Sequence, residues 1–277
     1  MLQGMLFHEQ VGSSGPVVIA LHGLATAHRG LGRWLAPLAS SARLFLPDLL
    51  GHGQSPSPDC AYSVRDHLDA LQEWRSAAGL ADEAVSLVGV SVGAILALHY
   101  AAREQEWYGA STALAVTAIS TPAYPDLALG RSCVARALPM VWLMVHYPRV
   151  AARLCRLVCG RGGIGWTLAP LLTPWLAADV VQDTFAHCWQ SLSGTFNNVV
   201  LEPQIADVVG RLDDLRLLFL HGSRDRVAPL AHLKSALANQ TAARLLVLEG
   251  ADHSVMHSHT ADTVDALGEF LALNRSP

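Results

Sequence analysis

The stretch Val85–Gly93, with the sequence VSLVGVSVG, runs from a short apolar segment into the Ala- and Leu-rich segment Ala94–Arg103. This pattern predicts a buried strand that turns sharply into a helix. The turn has the form G-x-S-x-G, and it needs small neighbours because the backbone of its central residue is strained. Such a turn lifts the Ser91 hydroxyl out of the sheet end and directs the helix N-terminus toward negative charge that develops beside it. Ser91 is therefore the candidate nucleophile.

Similar apolar runs recur along the chain, each closed by a glycine or a nearby polar residue. Continuous apolar runs of this length are typical of strands buried on both faces of a sheet. The predicted strands are Leu6–Gln10, Val17–Leu21, Arg43–Leu46, Val85–Val90, Ala115–Ile119, Leu217–Leu220 and Leu245–Leu248. Helical spacing predicts helices over Ser63–Ala78, with Ser63 as N-cap, and over Thr260–Leu273. The alternation predicts an α/β fold with a mostly parallel sheet and helices on both faces.

The alternation stops between about Tyr124 and Val209, where strand signals are few and several prolines occur. The segment contains four of the seven tryptophans, which are Trp142, Trp166, Trp175 and Trp189. It is too long for an ordinary loop of a compact domain. We therefore predict a helical cap over residues 124–209, inserted into a core formed by residues 1–123 and 210–277. The apolar composition of this cap indicates that it roofs an apolar pocket.

Composition excludes several classes of protein. Hydrophobic residues make up 51% of the 277 residues and charged residues 15%, so a sizeable core is expected and disorder is not. The formal charge is −4 and there is no basic run, which argues against nucleic-acid binding. The most apolar stretch, Ala137–Tyr147, is interrupted by Pro139 and is shorter than the roughly 20 residues that span a bilayer. With no secretory signal at the N-terminus, we expect a cytoplasmic protein without a membrane span.

The five cysteines do not have the spacing of a disulfide framework. They are Cys60, Cys133, Cys155, Cys159 and Cys188. Cys155 and Cys159 lie four residues apart and can share one helix face, but no CxxC or Cys/His ligand set surrounds them. The sequence therefore predicts buried, reduced thiols, and neither a metal nor a cofactor is expected.

Two later segments place polar residues directly after predicted strands. Leu220–Pro229 contains Asp225, which can orient a base or form a surface ion pair with the arginines on either side. Glu249–His253 ends in a histidine that can accept a proton and return it, although histidines near strand ends are more often structural. The alternative acids are Asp48, Asp213, Asp214 and Asp252. Asp252 adjoins His253, and neighbouring side chains usually point apart, so Asp225 is the first choice.

The segment Leu21–Ala25 follows the first long predicted strand and contains His22-Gly23. Acyl transfer passes through a tetrahedral oxyanion that backbone N–H groups stabilise. The N–H groups of Leu24 and Val92 can supply two such donors. By itself, the His-Gly pair is equally compatible with a simple turn after a strand.

These candidates occur in the order serine, aspartate, histidine, and the sequence resembles the α/β-hydrolase superfamily, particularly its capped esterase, thioesterase and C–C-bond hydrolase branches. Pro47–Ser55, with the sequence PDLLGHGQS, is similar to the loop that follows an early strand in that family. The resemblance covers about residues 5–122 and 210–273. It implies an α/β-hydrolase fold and the following roles: nucleophile Ser91, acid Asp225, base His253, and oxyanion donors Leu24 and Val92.

The resemblance implies hydrolysis of an ester or thioester of a small to medium apolar acyl substrate through an acyl-enzyme. Acyl transfer, C–C cleavage beside a ketone and non-catalytic ligand binding remain open, since a fold does not fix a function. An aspartate at position 91 would indicate a dehalogenase or an epoxide hydrolase. The serine found there argues against those two activities. A metal site at His253, His257 and His259 is a further alternative, although no HExxH signature accompanies it. The oligomeric state is not predicted.

Overall fold

A computed structural model of the chain describes residues 4–108, 113–160, 162–173, 177–202, 205–212, 215–241 and 243–272. Within these ranges there is one sheet of seven strands. The strands are β1 (His8–Val11), β2 (Val17–Leu21), β3 (Arg43–Pro47), β4 (Val85–Val90), β5 (Ala113–Ile119), β6 (Arg216–Gly222) and β7 (Ala243–Leu248). Their order is β1-β3-β2-β4-β5-β6-β7, with β1 antiparallel to β3 and every other neighbouring pair parallel.

Helices connect the strands and cover both faces of the sheet. Those before β5 are α1 (His28–Leu35), α2 (Val64–Ala77) and α3 (Val92–Tyr108). Those between β5 and β6 are α4 (Leu127–Ala137), α5 (Pro139–His146), α6 (Pro148–Val158), α7 (Ile164–Leu172), α8 (Ala178–Asp183), α9 (Trp189–Thr195) and α10 (Ile205–Val209). Those after β6 are α11 (Leu230–Ala236), α12 (Val255–Ser258) and α13 (Thr260–Phe270). The structure also contains a 3₁₀ turn at Ala36–Leu38 and a π-helical turn at Phe196–Val200.

The apolar runs of the strands are continuous because both faces of the sheet are buried. Successive side chains of a strand point to opposite faces. In β2, Ile19 and Leu21 join a core cluster that also contains Leu71 of α2, while Val18 joins a second cluster that contains Leu267 of α13. The sheet is therefore the middle layer of three, as the alternation of strand and helix predicts.

The start of α2 shows why the chain turns into a helix at this point. Ser63 Oγ accepts the Asp66 N–H at 3.3 Å, and the Asp66 carboxylate accepts the Ser63 N–H at 2.9 Å. This reciprocal pair satisfies two N–H groups that the first helical turn leaves free. The prediction of Ser63 as N-cap is confirmed.

The direction of the connections reverses between β2 and β4, which are neighbours in the sheet although β3 lies between them in the chain. In a parallel α/β sheet, such a reversal opens a crevice at the carboxyl ends of the two strands, where ligands bind. Leu21 at the end of β2 is in register with Gly89 near the end of β4. The segments that follow β2 and β4 therefore meet above this crevice.

Helices α4 to α10 occupy the segment predicted to form a cap, so the few strand signals there correspond to helical structure. The boundaries of a cap at residues 124 and 209 stay a prediction, and Trp175 lies outside the described residues. No helix in the described ranges is long and apolar enough to cross a bilayer.

Some predicted boundaries shift for local reasons. β1 starts at His8 rather than Leu6 because pairing with β3 begins at the partners His8 and Pro47. α3 starts at Val92, before the predicted Ala94, because the turn at Ser91 leads straight into the helix.

Candidate active site

Ser91 lies at the sharp turn between β4 and α3. Its φ angle is +55°, a left-handed conformation that is strained for a serine. A Cβ atom on Gly89 would lie 2.2 Å from the Gly93 carbonyl oxygen, and a Cβ atom on Gly93 would lie 2.2 Å from the Leu21 carbonyl oxygen. Gly89 is therefore required by the packing within the turn itself, and Gly93 by the packing of the turn against the end of β2.

The structure brings Ser91, His253 and Asp225 together. His253 Nε2 lies 3.1 Å from Ser91 Oγ, and His253 Nδ1 lies 2.7 Å from Asp225 Oδ2. An ionised carboxylate only accepts hydrogen bonds, so Nδ1 carries the proton and Nε2 is free to accept the serine hydroxyl hydrogen. The arrangement has the geometry of a nucleophile, a general base and an orienting acid.

The Asp225 carboxylate is fixed by the loop that follows β6. Its Oδ1 atom accepts the N–H groups of Val227 at 2.9 Å and Ala228 at 2.8 Å. Its Oδ2 atom faces His253, and His221 Nε2 lies 3.5 Å from the same oxygen. These backbone donors stabilise the negative charge of the buried carboxylate and leave one oxygen in position to orient His253.

The loop after β2 lies against the turn at Ser91. A Cβ atom on Gly23 would lie 3.7 Å from Ser91 Cβ, so the following residue, Leu24, is close to the nucleophile. Val92 is the first residue of α3, where backbone N–H groups have no partner within the helix. The Val92 side chain packs in the core. A cavity adjoins Ser91, and Val92 is not among the described residues that line it. The role of these two N–H groups as oxyanion donors stays a prediction.

A buried polar network holds this loop in place, and the sequence does not predict it. His22 Nε2 accepts the Leu49 N–H at 2.9 Å, while His22 Nδ1 lies 2.8 Å from the Gly23 carbonyl oxygen. Burial lowers the pKa of His22, which keeps the ring neutral as this pattern requires. The network therefore fixes the backbone immediately before Leu24.

Asp48 anchors the same network. Its Oδ1 atom accepts the His28 backbone N–H at 2.8 Å and lies 2.9 Å from His28 Nδ1, while Oδ2 accepts the Gln54 N–H at 2.7 Å. Burial raises the pKa of the carboxyl group, but His28, His22 and the Gln54 N–H together outweigh burial, so the pKa is lowered. Asp48 thus holds the surrounding loops together through its hydrogen bonds and does not orient His253. Its position in the PDLLGHGQS segment is the only sequence signal for this role.

A cavity of about 610 Å³ adjoins Ser91 and His253. This volume is within the range of roughly 300–1,000 Å³ found for small-molecule sites. Most of its lining is apolar, and helices α5 and α6 supply much of that lining. The contributing side chains of those two helices are Pro139, Met140, Val141, Met144, Ala151, Leu154, Cys155 and Val158.

One acidic group lies on the wall of the cavity. The Asp183 side chain is 4% exposed, and its Oδ1 atom lies 2.8 Å from Arg29 Nη1. Burial raises the pKa of this carboxyl group to about 6, even though Arg29 favours the charged form. Asp183 can therefore carry a proton near neutral pH, in contrast to an ordinary surface aspartate.

Comparison with known sequences identifies the family. The sequence model of the Alpha/beta hydrolase family matches residues 18–266. This chain belongs to the alpha/beta hydrolase family. The predicted family and fold class are confirmed.

Relatives of this alpha/beta hydrolase include an uncharacterised protein and two proteins whose names give different activities. An uncharacterised protein of Mycobacterium tuberculosis is 24% identical over 95% of this chain and 77% of its own length. A haloalkane dehalogenase of Mesorhizobium japonicum is 35% identical over 38% of this chain and 34% of its own length. A probable lysophospholipase of Arabidopsis thaliana is 23% identical over 78% of this chain and 54% of its own length.

Solved structures show the same fold. An esterase of Rhodococcus sp. ECU1013 superimposes with a TM-score of 0.70 at 20% identity, covering 96% of this chain and 94% of that one. A thermophilic esterase of Thermogutta terrifontis gives a TM-score of 0.69 at 18% identity, with 96% and 93% covered. The alpha/beta hydrolase thus shares its fold with esterases at low sequence identity.

The remaining alternatives of the sequence are Asp252, Asp213, Asp214 and the histidines near His253. Asp252 accepts the N–H of Ser254 at 2.9 Å, so it caps a local turn rather than meeting His253. Asp213 and Asp214 lie outside the described residues. His257 packs its ring edge-on against Trp34 at a centroid distance of 4.5 Å.

Proposed function

We propose that this alpha/beta hydrolase is a serine hydrolase that cleaves an ester or thioester of a small to medium apolar acyl group through an acyl-enzyme. The observation that supports this most directly is the hydrogen-bonded chain from Ser91 through His253 to Asp225. Ser91 and His253, the first two members of that chain, lie on the wall of a largely apolar cavity. The hydroxyl, the base and the acyl site therefore share one space.

In the first half of the reaction, Ser91 Oγ attacks the carbonyl carbon while His253 Nε2 takes the hydroxyl proton. Asp225 stabilises the imidazolium that results and keeps the ring in the correct orientation. Collapse of the tetrahedral intermediate breaks the bond to the leaving alcohol or thiol, which receives the proton from His253. The acyl group is then bonded to Ser91.

In the second half, a water molecule attacks the acyl carbon and gives its proton to His253. Collapse of the second intermediate returns that proton to Ser91 Oγ and releases the carboxylic acid. In both halves the N–H groups of Leu24 and Val92 stabilise the oxyanion, assisted by the N-terminus of α3. No cofactor takes part in this scheme.

The cavity supports the choice of an apolar acyl group. Most of its wall beyond the serine consists of aliphatic, methionine and aromatic side chains, among them Met144, Leu192 and Phe196. Burial of each CH₂ group of an acyl chain contributes about 0.8 kcal/mol. Chain length is therefore expected to raise kcat/KM until the cavity is filled.

The experiment is hydrolysis of p-nitrophenyl esters from acetyl to dodecanoyl by the wild-type chain, Ser91→Ala and Ser120→Ala. Ser120 is a matched control, since it also directly follows a strand and has a positive φ of +50°. We expect turnover by wild type and Ser120→Ala, and a decrease of about 10⁴-fold or more for Ser91→Ala.

Other outcomes distinguish the alternatives. An acyl-enzyme whose acyl group is transferred to an added alcohol or thiol much faster than to water indicates an acyltransferase. A chain that is inert toward every ester and toward a fluorophosphonate probe, yet binds apolar ligands, indicates a non-catalytic binding protein.

A further inference from the structure

Three side chains with metal-ligating atoms meet on the wall of the cavity. Cys155 lies on α6, Cys159 directly follows α6, and His187 lies between α8 and α9. One donor atom of each lies within 4.8 Å of those of the other two. All three residues line the cavity that Ser91 also lines. The sequence shows only the cysteine pair, because the histidine reaches it through the fold of the helical segment.

His187 is the second observation that points to a ligand. Its side chain is buried, with a relative exposure of 6%. Neither ring nitrogen has a hydrogen-bond partner of ordinary geometry among the described residues. A buried polar atom without a partner costs about 1–3 kcal/mol, and such atoms are rare in folded proteins. A bound cation would satisfy one of these nitrogens.

The two cysteines have the spacing of a ligand pair. Cys155 and Cys159 lie four residues apart at the C-terminal end of α6, so their side chains share one face of the helix. The thiolate is the form of cysteine that binds metal ions.

Both sides of the site are held by the surrounding backbone. The segment that carries His187 is tied to the loop after β3, because the Gly53 N–H donates to the Ala186 carbonyl at 2.7 Å and His52 and His187 form a β-bridge. On the other side, the Cys159 N–H donates to the Cys155 carbonyl at 2.7 Å. A cation here would link α6 to the segment that carries His187, which is itself bound to the loop after β3.

We propose that Cys155, Cys159 and His187 form a binding site for one thiophilic cation of the Zn²⁺ class. Two thiolates and one imidazole suit Zn²⁺, whereas Mg²⁺ and Ca²⁺ require oxygen ligands. Three protein ligands leave one position of a tetrahedral site for a further ligand, and all three residues line the cavity. The site is separate from the proposed serine chemistry, because Ser91, His253 and Asp225 contribute no ligand to it.

The test is a titration of the freshly reduced whole chain with Cd²⁺, followed by the ultraviolet charge-transfer absorption of thiolate–Cd²⁺ bonds. We expect one tightly bound ion per chain. Cys159→Ser and His187→Gln are expected to weaken binding by more than the roughly 10- to 100-fold that loss of an outer-shell partner costs. Cys133→Ser, which removes a thiol from α4 that does not line the cavity, and Ser91→Ala are expected to bind Cd²⁺ like wild type.

Two results of the titration would overturn the proposal. The first is wild type showing no more thiolate–Cd²⁺ absorption than the double variant Cys155→Ser/Cys159→Ser. The second is His187→Gln binding Cd²⁺ as tightly as wild type. A ¹¹³Cd NMR spectrum of the wild-type chain adds a test that needs no variant. We expect one resonance at a position typical of mixed sulfur and nitrogen coordination, and a resonance typical of oxygen ligands alone would contradict the site.

Discussion

Asp225 and His253 are joined by a hydrogen bond of 2.7 Å between Oδ2 and Nδ1, while the other oxygen of Asp225 is occupied by two backbone N–H groups. One oxygen of the carboxylate is therefore held by the backbone, and the other faces His253. Because the two oxygens have different partners, the effect of replacing the carboxylate by an amide of the same shape can be predicted.

Replacement of Asp225 by Asn is expected to lower kcat by about 10⁴-fold with little change in fold, because an amide no longer enforces the Nδ1–H tautomer. The measurement is steady-state ester hydrolysis together with near-ultraviolet circular dichroism. The matched control is Asp252→Asn, which alters the neighbouring carboxylate that bonds only locally to Ser254. Equal losses in both variants would show that Asp225 has no special role.

The turn at Ser91 predicts strong intolerance at Gly93. A Cβ atom there would lie 2.2 Å from the Leu21 carbonyl oxygen, so Gly93→Ala must displace β2 or α3. We expect loss of ester hydrolysis and a decrease in Tm. At Gly210 a Cβ atom would have ordinary contacts, the closest at 3.4 Å, so Gly210→Ala is the control and should behave like wild type. A fully active Gly93→Ala variant would contradict the geometry of the turn.

Asp48 is expected to be important for stability. Asp48→Asn removes the negative charge that His28 and the Gln54 N–H contact, and it places an NH₂ group opposite one of these donors. We expect the free energy of unfolding to fall by about 3 kcal/mol at pH 7, measured by urea denaturation. Asp59→Asn, at an exposed carboxylate, should change it by less than about 0.5 kcal/mol.

Buried histidines make the fold sensitive to acid. Burial lowers the pKa of His67 from 6.5 to about 4. Between these values the unfolded chain binds a proton that the folded chain does not, so stability decreases as the pH falls from 6.5 to 4. His67 alone contributes about 3 kcal/mol to this loss. His99, whose pKa is also lowered to about 4, adds to it.

His67→Gln tests this dependence, because a glutamine does not titrate but can still bond to Thr195, whose Oγ1 lies 3.0 Å from the histidine ring. We expect the free energy of unfolding of this variant to vary less with pH between 6.5 and 4 than that of wild type. His146→Gln, at an exposed histidine, should leave the pH dependence unchanged. Parallel curves for wild type and His67→Gln would contradict the proposed cause.

The residues predicted from the sequence share one property, which is that local patterns define them. Ser91 is marked by glycines that only a tight turn requires, and Asp225 and His253 each follow an apolar run that ends at the same edge of a parallel sheet. The strands themselves are visible because burial on both faces makes them continuous apolar runs. Such signals need no knowledge of distant contacts.

The features that the sequence does not reveal depend on contacts between distant segments. Asp48 looks like any candidate acid until the fold places its oxygens against N–H groups of His28 and Gln54. Likewise, His187 has no sequence relationship to Cys155 and Cys159, and only the packing of the helices between β5 and β6 brings them together. Neither arrangement follows from periodicity or composition.

The most direct test of the central proposal is the site of reaction with a fluorophosphonate, located by mass spectrometry of the digested chain. We predict one adduct per chain, on Ser91, formed by wild type and Ser120→Ala, absent from Ser91→Ala and formed far more slowly by His253→Gln. A folded wild-type chain that carries no adduct, or that carries it on another residue, would contradict the assignment of Ser91 as the nucleophile.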